Sequence, residues 1–144
     1  MMKPYKQFFY AYNATYRPYV NQLNHELAEF QLYSSQWRIM HFILHNGGQT
    51  VSDIAIYQKV EKPTTTKMVH KLIELGYLQA SAGADKRSKV IELTDKGQEI
   101  CDQVQKKISQ FQSYLLEDIP EDEQLIAARL LEHISGKITD YRKG

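Results

Sequence analysis

Residues 49–97 constrain this chain more than any other stretch. A short helical pattern over Thr50–Tyr57 is followed, after Gln58 to Lys62, by a second that opens at Pro63 and stops at Gly76. Two strand-like runs come next, Tyr77–Ser81 and Ser88–Leu93, around a link that carries Asp85-Lys86-Arg87. The punctuation has physical causes. Thr50 can accept a hydrogen bond from the first turn of the helix it precedes. Pro63 suits a first helical turn, where its missing N–H has no intrahelical partner to lose. Gly76 can take the left-handed backbone that ends a helix. Ala82-Gly83-Ala84-Asp85 is small and turn-rich. Helix, turn, helix and a basic-tipped hairpin make the layout of a winged helix-turn-helix, whose parts fit two surfaces of duplex DNA.

A net charge of +1 looks unsuited to a DNA binder until it is divided along the chain. Residues 1–58 carry +1, from four Lys/Arg against three Asp/Glu. Residues 59–91 carry +4, from seven against three, and residues 92–144 carry −4, from seven against eleven. A phosphate backbone responds to charge within a Debye length of about 8–10 Å, so clustering matters more than the total. The basic third coincides with the helix–hairpin segment.

Helical periodicity fills the rest. Tyr5, Phe8, Phe9, Tyr12, Tyr16, Tyr19, Leu23 and Leu27 mark one helical face, with a kink or two consecutive helices expected at Pro18. Ser34-Ser35-Gln36 opens the next helix with an expected serine N-cap; that helix carries Trp37, Met40, Ile43 and Leu44 and ends at Asn46-Gly47-Gly48. Thr94 is placed to cap a helix running to about Leu116, and Ile119-Pro120-Glu121 starts the last one. The fold class is therefore mainly α with a small β-hairpin wing. At 144 residues one domain is expected. No apolar run approaches the roughly 20 residues of a membrane span, and no signal-peptide core is present, so a cytoplasmic location is expected. One cysteine, Cys101, excludes an internal disulfide.

On the helix Pro63–Leu75, Thr65, Val69 and Leu72 share a core-facing side. Thr64, Lys67 and Lys71 fall on another side, flanked by Thr66, His70 and Glu74. Small hydroxyls near the N-terminus and cations beyond suit a helix entering the major groove. Thr64, Thr66 and Lys67 are the candidate base-edge contacts. Lys62 and Lys71 are placed to meet phosphates, which orient a protein without reading sequence, and His70 lies near the major-groove contacts. In the wing, Lys86, Arg87 and Lys89 supply positive charge. Arg87 suits a narrow minor groove. Asp85 either pairs with Arg87 or bonds turn amides, and so fixes the tip.

The run from Lys62-Pro63-Thr64-Thr65-Thr66-Lys67 through Met68-Val69-His70-Lys71-Leu72, and on to Glu74-Leu75-Gly76-Tyr77-Leu78, resembles the recognition helix of MarR-type transcriptional regulators. Asp85-Lys86-Arg87 is similar to that family's Asp-x-Arg wing, and Leu93-Thr94-Asp95-Lys96-Gly97 to its Leu-Thr-x-x-Gly element. Gln36-Trp37 ahead of an apolar helix also fits. The resemblance spans nearly the whole chain. It implies a winged helix-turn-helix lobe at 34–97 and a helical dimerisation body from 1–33 and 98–144. It also implies an obligate homodimer on a pseudo-palindromic operator, and repression relieved by a small aromatic or phenolic effector. Tyr12, Tyr16, Tyr19, Tyr33 and Trp37 are the candidate effector-pocket residues. Thr65 departs from the apolar residue usual at its position, and its hydroxyl can bond back to the helix.

Other chemistries find less support. His41 and His45 lie four apart on one helix, with His25, Glu26 and Glu29 as distant further ligands, but spacing shows no dense cluster, and no metal is expected. Cys101 sits mid-helix and reads as a small buried hydrophobe. No phosphate loop, nucleophile elbow or His-Glu metal motif is present, so neither an enzyme nor a cofactor is expected. The alternative to a DNA-binding regulator is a degenerate winged-helix protein, serving as an interaction scaffold or a metal-responsive regulator.

Overall fold

A computed structural model describes residues 1–83 and 88–144; Ala84, Asp85, Lys86 and Arg87 lie outside the described residues. The chain forms two compact units, Met1–Ile108 and Ser109–Gly144. The first holds α1 (Pro4–Leu27), a 3-10 turn (Ala28–Phe30), α2 (Ser34–Asn46), α3 (Val51–Gln58), α4 (Lys62–Glu74), β1 (Leu78–Ala82) and β2 (Lys89–Leu93). Helix α5 (Asp95–Leu116) begins in the first unit and ends in the second, which also holds α6 (Glu121–Lys143).

The core of the first unit draws on almost every element. Ile39, Met40 and Ile43 of α2 meet Ile54 of α3, Val69 and Leu72 of α4, Leu78 and Ile91 of the hairpin, and Cys101 and Val104 of α5. Burying one such aliphatic side chain contributes about 1.5–3 kcal/mol before entropy is counted. The expected inner face of α4 is the observed one, with Thr65, Val69 and Leu72 all buried. The Thr65 hydroxyl donates to the Glu61 carbonyl at 3.0 Å, so a polar group enters the core with its donor satisfied.

Two joints hold α4 in place. At its start, α3 ends on Lys59 in the left-handed conformation (φ 57°), and the chain turns through Glu61 into α4. At its end, Gly76 (φ +81°) breaks the helix. The Thr94 hydroxyl then donates to the Gly76 carbonyl and accepts the Gly97 N–H at 2.9 Å, while Lys96 Nζ donates to the Leu75 carbonyl at 3.1 Å. A Cβ at position 97 would stand 2.0 Å from the Tyr77 carbonyl oxygen. The Leu-Thr-x-x-Gly run is thus the weld between the end of α4 and the start of α5. Tyr77 adds a buried anchor, its hydroxyl donating to the Phe30 carbonyl at 2.7 Å; burial pushes its pKa up.

The hairpin is antiparallel, with Leu78 opposite Leu93, Ala80 opposite Ile91 and Ala82 opposite Lys89. Gln49 adds a third short rung: its carbonyl accepts the Ile91 N–H at 2.7 Å, and its N–H donates back at 3.0 Å. The segment between α2 and α3 therefore pins the base of the wing.

Two local expectations need correction. Helix α1 continues through Pro18 as one helix, which removes the alternative of two consecutive helices there. Ala14 and Pro18 are both exposed, so the carbonyl stranded by the missing N–H can be hydrated. At α2, no serine hydroxyl caps the helix. The Gln36 side chain accepts the Tyr33 N–H at 2.9 Å, and Asn24 Oδ1 accepts the Ser34 N–H at 2.8 Å.

In the second unit, Gln124 of α6 donates to the Leu116 and Ile119 carbonyls and fixes the turn out of α5. Among the described residues, α6 buries none.

Candidate nucleic-acid interface

Once Thr65, Val69 and Leu72 are committed to the core, the 100° step of a helix sends Thr64, Lys67 and Lys71 outward. All three are exposed, as are Lys62 and His70. Among the described residues Lys62, Lys67 and Lys89 enter no ion pair, whereas Lys71 lies 3.9 Å from Glu74 on the same face. Both partners of that pair are well exposed, so it holds Lys71 weakly. The Thr66 hydroxyl donates to the Lys62 carbonyl at 2.9 Å. It offers an incoming group an acceptor and a methyl, and donates only if that bond breaks.

A groove of about 400 Å³ brings three elements together. Thr50, Val51 and Ser52 line it from the first turn of α3, Lys62 and Thr66 from α4, and Ser88 and Lys89 from the entry to β2. At α3 a reciprocal cap uses two of the free amides: the Thr50 N–H goes to the Asp53 carboxylate and the Asp53 N–H to Thr50 Oγ1, each at 3.1 Å. The amides of Val51 and Ser52 have no intrahelical acceptor, as at the start of any α-helix. Two cations, Lys62 and Lys89, two serines, Ser52 and Ser88, and the first turn of α3 border one groove. That set matches the charge and geometry of a phosphodiester. Sequence reasoning found Lys62, Thr66 and Lys89 but not Thr50–Ser52 or Ser88. The N-cap at Thr50 was legible; its closeness to β2 depends on the Gln49–Ile91 rung, which no local pattern reveals.

Asp85, Lys86 and Arg87 lie outside the described residues. Of the wing cations, Lys89 is placed, exposed at the start of β2.

The aromatic candidates are spread along α1 and α2. Tyr12 and Tyr16 stack with ring centroids 6.1 Å apart and are exposed. Tyr19 is half-buried on the same helix. Tyr33 stands exposed just before α2, and the half-buried Trp37 meets His41 edge-on at 5.5 Å. Glu26 and Glu29 both engage Lys107 of α5, which raises the lysine's pKa chiefly through its hydrogen bond to Glu29. Cys101 is fully buried, and burial, aided by Asp102, pushes its thiol up to about 12, which keeps it a core residue at neutral pH.

These features define a winged helix-turn-helix with an exposed cationic face on its second helix, where Lys62 and Lys67 enter no ion pair among the described residues. A model of the MarR family matches residues 30–88. The chain is 32% identical over 112 residues to the uncharacterized HTH-type transcriptional regulator YwoH of Bacillus subtilis, covering 78% of this chain and 82% of that protein. It is 33% identical over 106 residues to the uncharacterized HTH-type transcriptional regulator SAV2265 of Staphylococcus aureus, covering 70% and 73%. Among solved structures, a Staphylococcus aureus MarR in complex with salicylate and kanamycin superposes with a TM-score of 0.85 at 26% identity, over 94% of this chain and 92% of that one. The transcriptional repressor CouR, bound to a 23-mer DNA duplex, superposes with a TM-score of 0.81 at 23% identity, over 88% and 90%. The chain belongs to the MarR family of winged-helix transcriptional regulators. Its role is regulatory rather than enzymatic.

Proposed function

We propose that the chain binds a pseudo-palindromic duplex as a homodimer and represses transcription from the cytoplasm until a small aromatic ligand releases it. The observation that carries DNA binding is the exposed cationic face of α4, continuous with the groove between α3, α4 and β2. In this reading Thr64, Thr66 and Lys67 meet base edges in the major groove. Lys62, His70, Lys71 and Lys89 hold phosphates, with Ser52 and the first amides of α3. Arg87, steadied by Asp85 and aided by Lys86, takes the minor groove. That CouR was solved on a duplex supports the docking mode.

Dimerisation through 1–33 and 98–144 is supported by apolar side chains left in solvent. Tyr5, Phe9 and Tyr10 stand out from α1, and Leu125, Ile126, Leu130, Leu131 and Ile138 from α6. A soluble chain rarely leaves so much apolar surface uncovered. Two recognition helices related by a two-fold axis would read half-sites about 34 Å apart. Ligand release through Tyr12, Tyr16, Tyr19, Tyr33 and Trp37 is supported by the salicylate held by the Staphylococcus aureus MarR. Duplexes selected from a random pool, then titrated with the protein over a range of salt, test DNA reading. Affinity should fall steeply with salt and depend on both half-sites. A panel of phenols added to the complex tests release, and a panel with no effect removes that part of the reading.

A further inference from the structure

The last two turns of α2 carry a side-chain cluster that DNA binding does not use. His41 and His45 turn toward each other, and their Nε2 atoms are 3.1 Å apart. Spacing alone left the two rotamers open; the structure brings the two nitrogens together, with ring centroids 4.3 Å apart. We propose that His41 and His45 form a two-imidazole chelate for one divalent ion of the copper, nickel or zinc class.

The bite fits such an ion. Metal–imidazole bonds of about 2.0–2.1 Å place two ligand nitrogens about 2.9 Å apart at a right angle and about 3.3 Å apart at a tetrahedral one. The observed separation falls between these values. Imidazole nitrogen suits copper, nickel and zinc rather than calcium or magnesium, and copper(II) binds such donors most tightly. Without metal, one Nε2–H donates to the other, bare Nε2. Loading requires that proton to move to Nδ1 of its own ring, so the neutral pair binds with no net proton release.

Access and stoichiometry follow from the surroundings. His41 is half-buried and His45 exposed, so water can complete the coordination shell from the open side. Among the described residues no third His, Cys, Asp or Glu joins the pair, and Glu26 and Glu29 face Lys107. The site therefore takes two protein ligands. A bound ion would cross-link one turn of α2 directly before the segment whose Gln49 pins β2.

Trp37 supplies the readout. It is the only tryptophan in the chain, and its ring centroid is 5.5 Å from that of His41. Copper(II) added to the full-length protein in a non-chelating neutral buffer should quench tryptophan emission, saturating at one ion per chain. A chelator should reverse the quench, and excess zinc(II) should compete. Losing an outer partner already weakens metal sites by about 10–100-fold, so removing a direct ligand by His45→Gln should weaken binding at least tenfold. His41→Gln should do the same, and His70→Gln and His133→Gln should bind as the parent does. Because His45 is exposed, His45→Gln keeps the fold, which circular dichroism checks. Unquenched emission in the parent, or an unchanged titration in His45→Gln, overturns the proposal.

Discussion

The winged lobe and the terminal helices divide the apolar side chains of this protein very differently. From α2 to β2 most large apolar residues point inward, with Ile56 and Tyr57 of α3 as exceptions, and the start of α3 and the end of α4 have specific partners: Asp53 for Thr50, Thr94 for Gly76, Lys96 for Leu75. In α1 and α6, equally apolar side chains face solvent; Ile126 is 63% exposed and Tyr10 70%. The lobe is complete within one chain. The terminal helices leave apolar side chains in solvent, and the proposed homodimer would cover them.

Substitutions in the two regions should therefore fail in different ways. The largest effect belongs to the lobe: Leu72→Ala, at a fully buried site, should lower stability by about 2–5 kcal/mol in chemical denaturation. Gly97→Ala should follow at about 3 kcal/mol, because its Cβ would meet the Tyr77 carbonyl and the backbone must move. A wild-type-like denaturation midpoint for Gly97→Ala would show that the weld between α4 and α5 is softer than described. On α6, Leu131→Glu should shift the protein toward monomer in sedimentation at micromolar concentration. A dimer that survives this change puts the interface elsewhere.

At the DNA face, Lys67→Ala should cost about 1–3 kcal/mol of affinity and relax preference at one base pair. Lys62→Ala should weaken all duplexes alike and reduce the salt slope by about one. The smallest effect is Thr50→Ala, about 1 kcal/mol of stability, from loss of the cap that accepts the Asp53 N–H. If Thr50→Ala also weakens DNA binding more than its stability loss explains, the first turn of α3 is confirmed as part of the groove.

Local rules made most of the lobe legible. Pro63, Gly76 and Thr94 mark boundaries through backbone chemistry that acts within a few residues, and the 3.6-residue period of α4 sorted Thr65, Val69 and Leu72 from Thr64 and Lys67. What escaped depends on contacts across the chain. The Gln49–Ile91 rung joins residues 42 apart, so the groove beside it could not be read from α3 or β2 alone. The clamp of Lys107 on Glu26 and Glu29 is equally non-local. Pro18 left two outcomes open, a kink or two helices, and only the second is excluded: a proline interrupts a hydrogen bond, but an exposed carbonyl can be hydrated and the helix can continue. The histidine pair was visible as a spacing, while its meeting point was set by rotamers.

The most direct test is the salt dependence of binding to a selected two-half-site duplex, followed by fluorescence anisotropy of the labelled DNA, with the stoichiometry read from sedimentation. The account predicts two chains per duplex and a logarithm of affinity that falls linearly and steeply with the logarithm of salt concentration. One chain per duplex, or binding indifferent to salt, would contradict it.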